Sequence, residues 1–324
     1  MRAVLNTLVD ELTRLKASGV KTVSVSDESL AALKSALRRR FQNSPAPAQP
    51  AAGLPQHSAK DNPPIAAILG TPTTPPIASP GERRQSVEPK KTEARKLPPP
   101  APFALPAGDK AARWNWLLER VLNDPVCKAN VRPGKKAVLG VGSLEAKIMF
   151  VGEAPGAEEE IQGEPFVGPA GQLLTRMIVA TGLKREEVYI GNIMNWRPQL
   201  PLGADGQQYG NREPTEEEMT YCLPFLRAQI EIVQPAVIVA MGATASKGLL
   251  GFRSFKTLGE IRGRWHDYLG TPLRVTYHPS YLLRKESESK LSEKKAKRAA
   301  WEDFLVIMEK AGMPISEKQR GYFL

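Results

Sequence analysis

Cysteine is scarce in this chain of 324 residues, and long apolar runs are missing from it. The two cysteines, Cys127 and Cys222, are too few and too far apart for the disulfide framework of a small secreted protein. The N-terminus lacks the apolar core of a secretory signal, and no run approaches the roughly 20 residues of a membrane span. These absences predict a cytoplasmic protein that makes no membrane contact.

Histidine and acidic residues are also in short supply. Only His57, His266 and His278 occur, so any chemistry that needs an imidazole has few candidates. The 34 acidic residues are outnumbered by 45 lysines and arginines, which gives a net charge of +11. A basic balance favours polyanionic partners, of which nucleic acid is the commonest.

Composition divides the chain into three parts. Residues 1–42 carry two helical patterns of leucines and predict a small helical element, which could dock an unknown protein partner or grip DNA. Residues 43–108 hold 16 of the 29 prolines and predict a disordered linker. Residues 109–324 predict the folded domain.

Short apolar runs alternate with helical patterns in this third part. Four runs are typical of buried parallel strands, at 147–151, 188–194, 236–241 and 273–277. Helical patterns lie at 170–181, 215–233, 243–250 and 294–310. The alternation predicts an α/β fold with three layers, α/β/α, around a central four-stranded and mainly parallel sheet.

Polar residues follow the predicted strands. Glu153 lies in the turn after the first strand, Asn192 near the end of the second, and His278 directly after the fourth. Ligands of such sheets bind beyond the carboxyl ends of the strands. We therefore expect these three side chains to converge on one cleft.

Six motifs surround these residues in a specific order: VGEAPGAEEE (151–160), EPFVGPAGQLL (164–174), YIGNIMNWRP (189–198), NREPTEEEMTYC (211–222), QPAVIVAMGATASKGLLG (234–251) and VTYHPSYLLR (275–284). In this order and spacing the chain resembles the uracil-DNA glycosylase superfamily, and its family 4 most. The resemblance spans about 124–307 and implies a DNA repair enzyme that cuts uracil from its deoxyribose. It does not extend to residues 1–108.

Family 4 also implies a [4Fe–4S] cluster held by four cysteines, and here the sequence departs from the pattern. Cys127 and Cys222 match two of the four positions, Asp124 or Asn130 stands at another, and Trp196 at the last. Two thiolates cannot hold such a cluster by the usual scheme. We expect no cofactor and no metal, with Trp196 packing where the cluster would lie. Residual metal binding with Asp124 is the weaker alternative.

The resemblance assigns the base-binding residues. Phe166, in a loop that we expect to be exposed, matches the aromatic residue that stacks on the extruded base. Asn192 can pair with the O4 and N3–H edge of uracil, which excludes cytosine. A neutral His278 would donate to uracil O2 and stabilise the departing anion. Each residue could instead be structural: a core phenylalanine, a turn asparagine or a satisfied histidine.

The role of Glu153 is less direct. The water-positioning aspartate of the archetypal family falls one place later, at Ala154, so we assign the carboxylate role to Glu153, as general base or as stabiliser of the sugar cation. A glutamate that caps the next turn is the alternative. Gly152 and Ala154 are predicted to contact the base. Glu159 matches the position that excludes the methyl group of thymine, although it could equally begin a solvated helix.

Five further residues are candidates for contact with the DNA strand. Glycine lets the backbone approach DNA closely at two positions, and the loop after His278 combines apolar wedges with a cation. Ordinary packing at the sheet edge is the alternative for that loop. The five are Gly156, Gly242, Ser280, Leu282 and Arg284.

The sequence thus predicts a monofunctional hydrolase of uracil in single- or double-stranded DNA. Three alternatives stay open: a glycosylase of broader deaminated-base specificity, a uracil-DNA binder that is non-catalytic or traps DNA covalently through His278, and an interaction module whose catalysis has decayed. The trapping alternative lacks the inserted basic loop expected before His278.

Overall fold

The computed structural model describes residues 97–203 and 205–323. The predicted helical element at 1–42, with its possible protein partner, lies outside the described residues, as does most of the predicted linker. None of the helices in the described part is long and apolar enough to cross a membrane.

Helices and strands alternate along the described part of the chain. The strands are β1 (Val141–Gly142), β2 (Ile148–Gly152), β3 (Tyr189–Asn192), β4 (Val237–Met241), β5 (Trp265–Tyr268) and β6 (Thr271–Thr276). The helices are α1 (Lys110–Asn123), α2 (Pro125–Asn130), α3 (Ala157–Gln162), α4 (Pro169–Ala180), α5 (Glu216–Val233), α6 (Gly242–Leu250), α7 (Leu258–Ile261), α8 (Pro279–Glu288), α9 (Lys290–Lys310) and α10 (Glu317–Arg320).

The strands form one six-stranded sheet in the order β1-β3-β2-β4-β6-β5. The four central strands, β3, β2, β4 and β6, are parallel and are the four that the sequence predicts. The two edge strands, β1 and β5, pair antiparallel with their neighbours. The prediction of four strands is therefore wrong in number, because β1 has only two residues and β5 is a half-exposed polar segment without an apolar run.

Alternate residues of the central strands face opposite layers, which confirms the three-layer architecture. On β2, Met149 and Val151 pack with residues of α1 and α5. Ile148 and Phe150 point to the other face and pack with residues of α4 and α9, where Phe150 stacks on Phe304 at 5.6 Å between ring centroids. Because both faces are covered, the two innermost strands, β2 and β4, are apolar throughout.

The folded part begins earlier than residue 109. Leu97, Phe103 and Leu105 pack against the core, and the ring of Phe103 stacks on Phe225 with the centroids 5.5 Å apart. The predicted end of the linker, at residue 108, therefore lies too far along the chain. Proline excludes helix and strand from 97–108, but it does not prevent three apolar side chains from binding the core surface.

Candidate active site

A cavity of about 800 Å³ lies beyond the carboxyl ends of the parallel strands. Glu153 after β2, Asn192 at the end of β3 and His278 after β6 all line it, together with Phe166 from the loop between α3 and α4. The four side chains that the sequence singles out therefore share one cleft. The position agrees with the rule that open parallel sheets bind ligands at this edge.

Phe166 is held in an unusual backbone conformation. Its φ is 55°, in the left-handed region that non-glycine residues rarely adopt. Arg185 donates to the carbonyl oxygen of Pro165 at 2.6 Å, and the backbone N–H groups of Val167 and Gly168 donate to Glu159 Oε1, each at 3.0 Å. These bonds fix the loop on both sides of Phe166 and aim its ring into the cleft.

The loop is less exposed than the sequence predicts. Only 6% of the Phe166 surface is accessible, and the ring belongs to the apolar cluster under α4 and α9. The proline and glycines around Phe166 are typical of a surface turn, but this turn folds inward because of the anchors described above. Burial and cavity lining coexist here, since one face of the ring rests on the core.

Glycine at position 152 makes room for two site residues at once. A Cβ atom at Gly152 would lie 2.4 Å from Cζ of Phe166 and 2.5 Å from Oδ1 of Asn192. Gly171 does the same for the loop backbone, since a Cβ there would lie 1.8 Å from the carbonyl oxygen of Phe166. Position 152 therefore requires glycine because Phe166 and Asn192 pack closely against it, in addition to its predicted contact with the base.

Asn192 offers unused hydrogen-bonding capacity. It is 5% exposed, and its Oδ1 has no hydrogen-bond partner among the described residues. A buried polar atom without a partner costs about 1 to 3 kcal/mol. Such an atom at the wall of a cavity is explained best by a ligand that supplies the missing partner.

His278 is set up as a neutral hydrogen-bond donor. It caps α8, and its Nδ1 accepts the backbone N–H of Ser280 at 3.1 Å, with the Ser280 hydroxyl oxygen 2.8 Å away. Because Nδ1 accepts, the proton of the neutral ring belongs on Nε2. Burial, and secondarily the charge of Arg284, lower the pKa of His278 to about 4. The ring is therefore neutral near pH 7, with Nε2–H free to donate.

Glu153 is more basic than an ordinary glutamate. Burial raises the pKa of its carboxyl group; the Thr244 hydroxyl and Lys247 oppose the rise, and Glu213 adds to it. The cavity wall carries four carboxylates and one guanidinium, which belong to Glu153, Glu158, Glu159, Glu213 and Arg284. A wall of this charge favours a cation that develops inside the cleft.

Glu159 and the nearby glycines shape the cavity wall. Besides its two bonds to the Phe166 loop, the Glu159 carboxylate accepts the N–H of Gly156 through Oε2 at 3.0 Å. Gly242 has a φ of 88°, and a Cβ there would lie 3.0 Å from Cβ of His278. Ala154, Gly156, Glu159 and Gly242 all line the cavity. A role for Glu159 in excluding thymine remains a prediction, whereas its anchoring of the loop is observed.

The segment after His278 corrects one prediction. Ser280 and Arg284 line the cavity, and Arg284 is exposed. Leu282 is only 1% exposed and packs against Leu173, Ala296 and Ala300, so it is not available as an apolar wedge. Ser280 and Arg284, four positions apart on α8, share the face that lines the cavity, whereas Leu282 between them faces the neighbouring helices.

Several lining residues are not among those that the sequence predicts. Two of them, Asn211 and Glu213, follow the insertion at 199–210, whose end is held by Arg197: its Nη2 donates to the Gly210 carbonyl at 2.8 Å, and its Nε to Asn211 Oδ1 at 2.9 Å. The turn residues asparagine and glutamate gave no signal of their own. The residues that were not predicted include Asn211, Glu213, Thr244, Tyr277 and Tyr281.

Comparison with known proteins agrees with this geometry. The family model described as the Uracil DNA glycosylase superfamily matches residues 139–305, which contain all four cleft residues. The chain belongs to the uracil DNA glycosylase superfamily.

Two curated relatives illustrate how close the similarity is. A type-4 uracil-DNA glycosylase of Thermotoga maritima is 43% identical over 170 residues, which cover 52% of this chain and 82% of the relative. The type-4 enzyme of Archaeoglobus fulgidus is 40% identical over 152 residues, or 45% of this chain and 71% of the relative. A type-5 uracil-DNA glycosylase of Pyrobaculum aerophilum is more distant, at 28% over 156 residues.

In this superfamily member, the residues at the expected cluster position do not fit four-thiolate ligation. Cys127 and Cys222 are buried and unbonded, and burial raises the pKa of both thiols well above its ordinary value, which favours the neutral form over the thiolate ligand. For Cys127 the nearby Cys222 adds to the rise. The whole chain has no other cysteine.

The residues considered for the other two cluster positions make contacts of their own. Asp124, one of the two residues that could stand at the position paired with Cys127, caps α2 by accepting the N–H of Cys127 at 2.9 Å. The Tyr221 hydroxyl lies 2.9 and 3.0 Å from the two carboxylate oxygens of Asp124. Trp196 is 1% exposed, and its ring lies 6.2 Å from that of Tyr221. Trp196 and Tyr221 belong to the same apolar cluster as Cys127 and Cys222.

Proposed function

We propose that this protein hydrolyses the N-glycosidic bond of uracil in DNA and leaves an abasic site, as a glycosylase of base excision repair. The observation that carries the proposal is the single cleft in which Glu153, Phe166, Asn192 and His278 lie together. Membership of the superfamily and the similarity to type-4 enzymes support it. DNA as the substrate also supports the cytoplasmic location that the sequence predicts.

Each cleft residue takes one task in the reaction. Uracil leaves the duplex, which costs a few kcal/mol, and slides against the ring of Phe166. Asn192 donates to O4 and accepts from N3–H, filling the vacant position at its Oδ1. Cytosine is rejected because it has an amino group at position 4 and no hydrogen on N3.

The bond between C1′ and N1 breaks with its electron pair moving to the base. His278 stabilises the resulting anion by donating Nε2–H to O2, as an oxyanion hole does. Glu153 stabilises the cationic sugar and accepts a proton from the water that adds to C1′. The products are uracil, which takes up a proton, and the abasic sugar.

We also propose that the reaction needs no cofactor. The residues at and near the expected cluster position are two buried thiols, an aspartate hydrogen-bonded to Tyr221 and a packed tryptophan, and they do not supply four thiolate ligands. The contribution of Ala154, Gly156, Gly242, Ser280 and Arg284 is to shape the cleft and approach the DNA backbone. Arg284 is the exposed cation at the cavity and supplies a phosphate contact.

Alkali cleavage of labelled oligonucleotides tests the proposal. After incubation, strands with one uracil should break at that position, in single strands and in U·G and U·A pairs, whereas matched strands with thymine or cytosine stay whole. His278→Ala should slow the reaction by about 100-fold to 1,000-fold, and the matched control His266→Ala should not. Intact uracil strands, or equal breakage at thymine, would contradict the proposal.

A further inference from the structure

An aromatic pair stands beside the catalytic histidine without a part in the reaction described above. Tyr277 immediately precedes His278, and Tyr281 follows on the first turn of α8. Their rings stack with centroids 4.7 Å apart and an interplanar angle of 26°. Both tyrosines line the cavity and are partly accessible, so the pair lies where DNA around an extruded uracil must pass.

Buried charges hold the inner end of the pair. The guanidinium of Arg262 lies 4.3 Å from the centre of the Tyr277 ring. Its Nε donates to Asp303 Oδ2 at 2.7 Å, and Asp303 is 1% exposed and also paired with Arg274. A partly buried network therefore fixes Arg262, Arg262 fixes Tyr277, and Tyr277 sets the position of Tyr281.

At the outer end of the pair, the contact between Lys285 and the Tyr281 ring can give way to a ligand. Lys285 Nζ lies 5.4 Å from the centre of the Tyr281 ring and forms an ion pair with Glu288 at 2.7 Å. Both partners are at the surface, where such a pair is worth little. A nucleobase can therefore take the face of Tyr281 while Lys285 turns to a phosphate.

Two other large apolar side chains near the cavity are already engaged. Leu282, the wedge that the motif predicts, is buried in the core. Phe166 is the ring for uracil itself. Tyr281 is the aromatic residue of α8, the helix that also carries the exposed Arg284. A stacking face beside cations is the usual design for binding single-stranded nucleic acid.

We propose that the Tyr277–Tyr281 pair is a stacking platform for the nucleobase that adjoins the extruded uracil in the same strand, with Tyr281 making the contact. The inference rests on the proposed function and adds to it a second base site. Stacking is independent of base identity, so the platform holds the flanking nucleotide of any sequence.

The test combines protein variants with substrates that lack one base. Single-stranded oligonucleotides carry one uracil and, on its 5′ or 3′ side, either a normal nucleotide or an alkali-stable tetrahydrofuran residue. The variants are Tyr281→Ala, Tyr281→Leu, which keeps apolar bulk without an aromatic face, and Tyr281→Phe. Tyr209→Ala, at a 69% exposed tyrosine that does not line the cavity, is the matched control.

With a normal substrate, Tyr281→Ala and Tyr281→Leu should lower kcat/KM about tenfold, mainly through KM, while Tyr281→Phe stays within about twofold. Removing the neighbouring base on one side should cost the wild type the same factor and cost Tyr281→Ala nothing further. Inhibition by free uracil, which has no neighbour, should be equal in wild type and variants. Melting temperatures check that all the variants fold.

Three results would overturn the platform: unchanged kcat/KM for both Tyr281→Ala and Tyr281→Leu, multiplicative losses on both sides of uracil, or weaker inhibition by free uracil in these variants. Fluorescence anisotropy of the same oligonucleotides separates this inference from the proposed function. A wild type that never cleaves at uracil contradicts the proposed function. Binding that depends on Tyr281 and on the neighbouring base supports the platform even then, and binding that ignores both contradicts it.

Discussion

Asn192 has a buried oxygen that no described residue satisfies, and this single atom makes a sharp prediction. Asn192→Asp keeps the size of the side chain but loses the donor for uracil O4 and adds a negative charge where the departing base is anionic. Single-turnover cleavage of uracil DNA should fall by about 100-fold or more.

Asn195→Asp is the matched control for this change. Asn195 is 1% exposed and three positions away, but it does not line the cavity. Its substitution should lower the melting temperature without slowing cleavage by the folded protein. Equal rates for Asn192→Asp and wild type would remove Asn192 from the site.

The second prediction at the scale of residues concerns pH. In the proposed mechanism the carboxylate form of Glu153 is the active one. Because burial and Glu213 raise its pKa, kcat/KM should fall on acidification at a higher pH than an ordinary glutamate would require. His278, with a pKa of about 4, stays neutral over this range. Glu213→Gln removes a negative charge, lowers the pKa of Glu153 and should move the acid limb to lower pH.

Lys247 also acts on the pKa of Glu153, which it lowers, whereas Glu213 raises it. Glu217→Gln is the matched control, since Glu217 is exposed and does not line the cavity. A pH profile of kcat/KM that Glu213→Gln shifts upward, or leaves in place, would show that Glu213 does not tune Glu153.

The register of helix α8 determines which of its side chains reach the cavity and which reach the core. Its register points Leu282 into the core and Tyr281 to the cavity. Leu282→Ala should therefore lower the free energy of unfolding by about 2 to 5 kcal/mol, measured by chemical denaturation. Binding of DNA by the folded protein should not change.

The same substitution at Leu291, which is 64% exposed on α9, should change stability by less than about 0.5 kcal/mol. A Leu282→Ala protein with normal stability and weakened DNA binding would contradict this expectation and support the prediction that Leu282 acts as an apolar wedge in DNA.

The sequence predicts the elements that carry apolar periodicity and misses those that depend on partners. The parallel strands and the long helices α4, α5 and α6 begin and end within a few residues of their predicted bounds. Strand β5 escapes because its order comes from pairing with β6, not from its own composition. Phe103 likewise packs through contacts with Trp116 and Phe225 that proline-rich surroundings do not reveal.

In the cleft, too, the sequence predicts some features and misses those that depend on contacts with other residues. Glu153, Asn192 and His278 were predictable because strand ends share one edge, and Phe166 because its motif resembles the superfamily. The unsatisfied Asn192 oxygen, the Nδ1 bond of His278 and the Tyr277–Tyr281 stack depend on orientations that spacing alone does not give.

The net charge of the whole chain differs in sign from that of the cavity wall. The chain carries +11, whereas the cavity wall carries four carboxylates and one guanidinium. A net positive chain favours the phosphate backbone, and in the proposed mechanism an acidic cleft admits a neutral base and stabilises the cationic sugar. DNA binding should therefore weaken with salt more steeply than uracil binding does.

The missing cluster ligands give a further prediction for the whole molecule. The purified protein should be colourless, whereas about four irons per chain and broad visible absorption would contradict the cofactor-free account. Replacing both cysteines with alanine should leave uracil cleavage by the folded protein intact. Trp196→Ala, at a 1% exposed side chain, should lower the free energy of unfolding by about 3 to 5 kcal/mol.

A crystal structure of the protein with DNA that contains 2′-fluoro-2′-deoxyuridine, whose glycosidic bond resists cleavage, tests the central claim most directly. We expect the uracil extruded into the cavity, its ring against Phe166, its O4 and N3 at the Asn192 amide, and its O2 within hydrogen-bond distance of His278 Nε2. Uracil still stacked in the DNA, or bound away from these side chains, would contradict it.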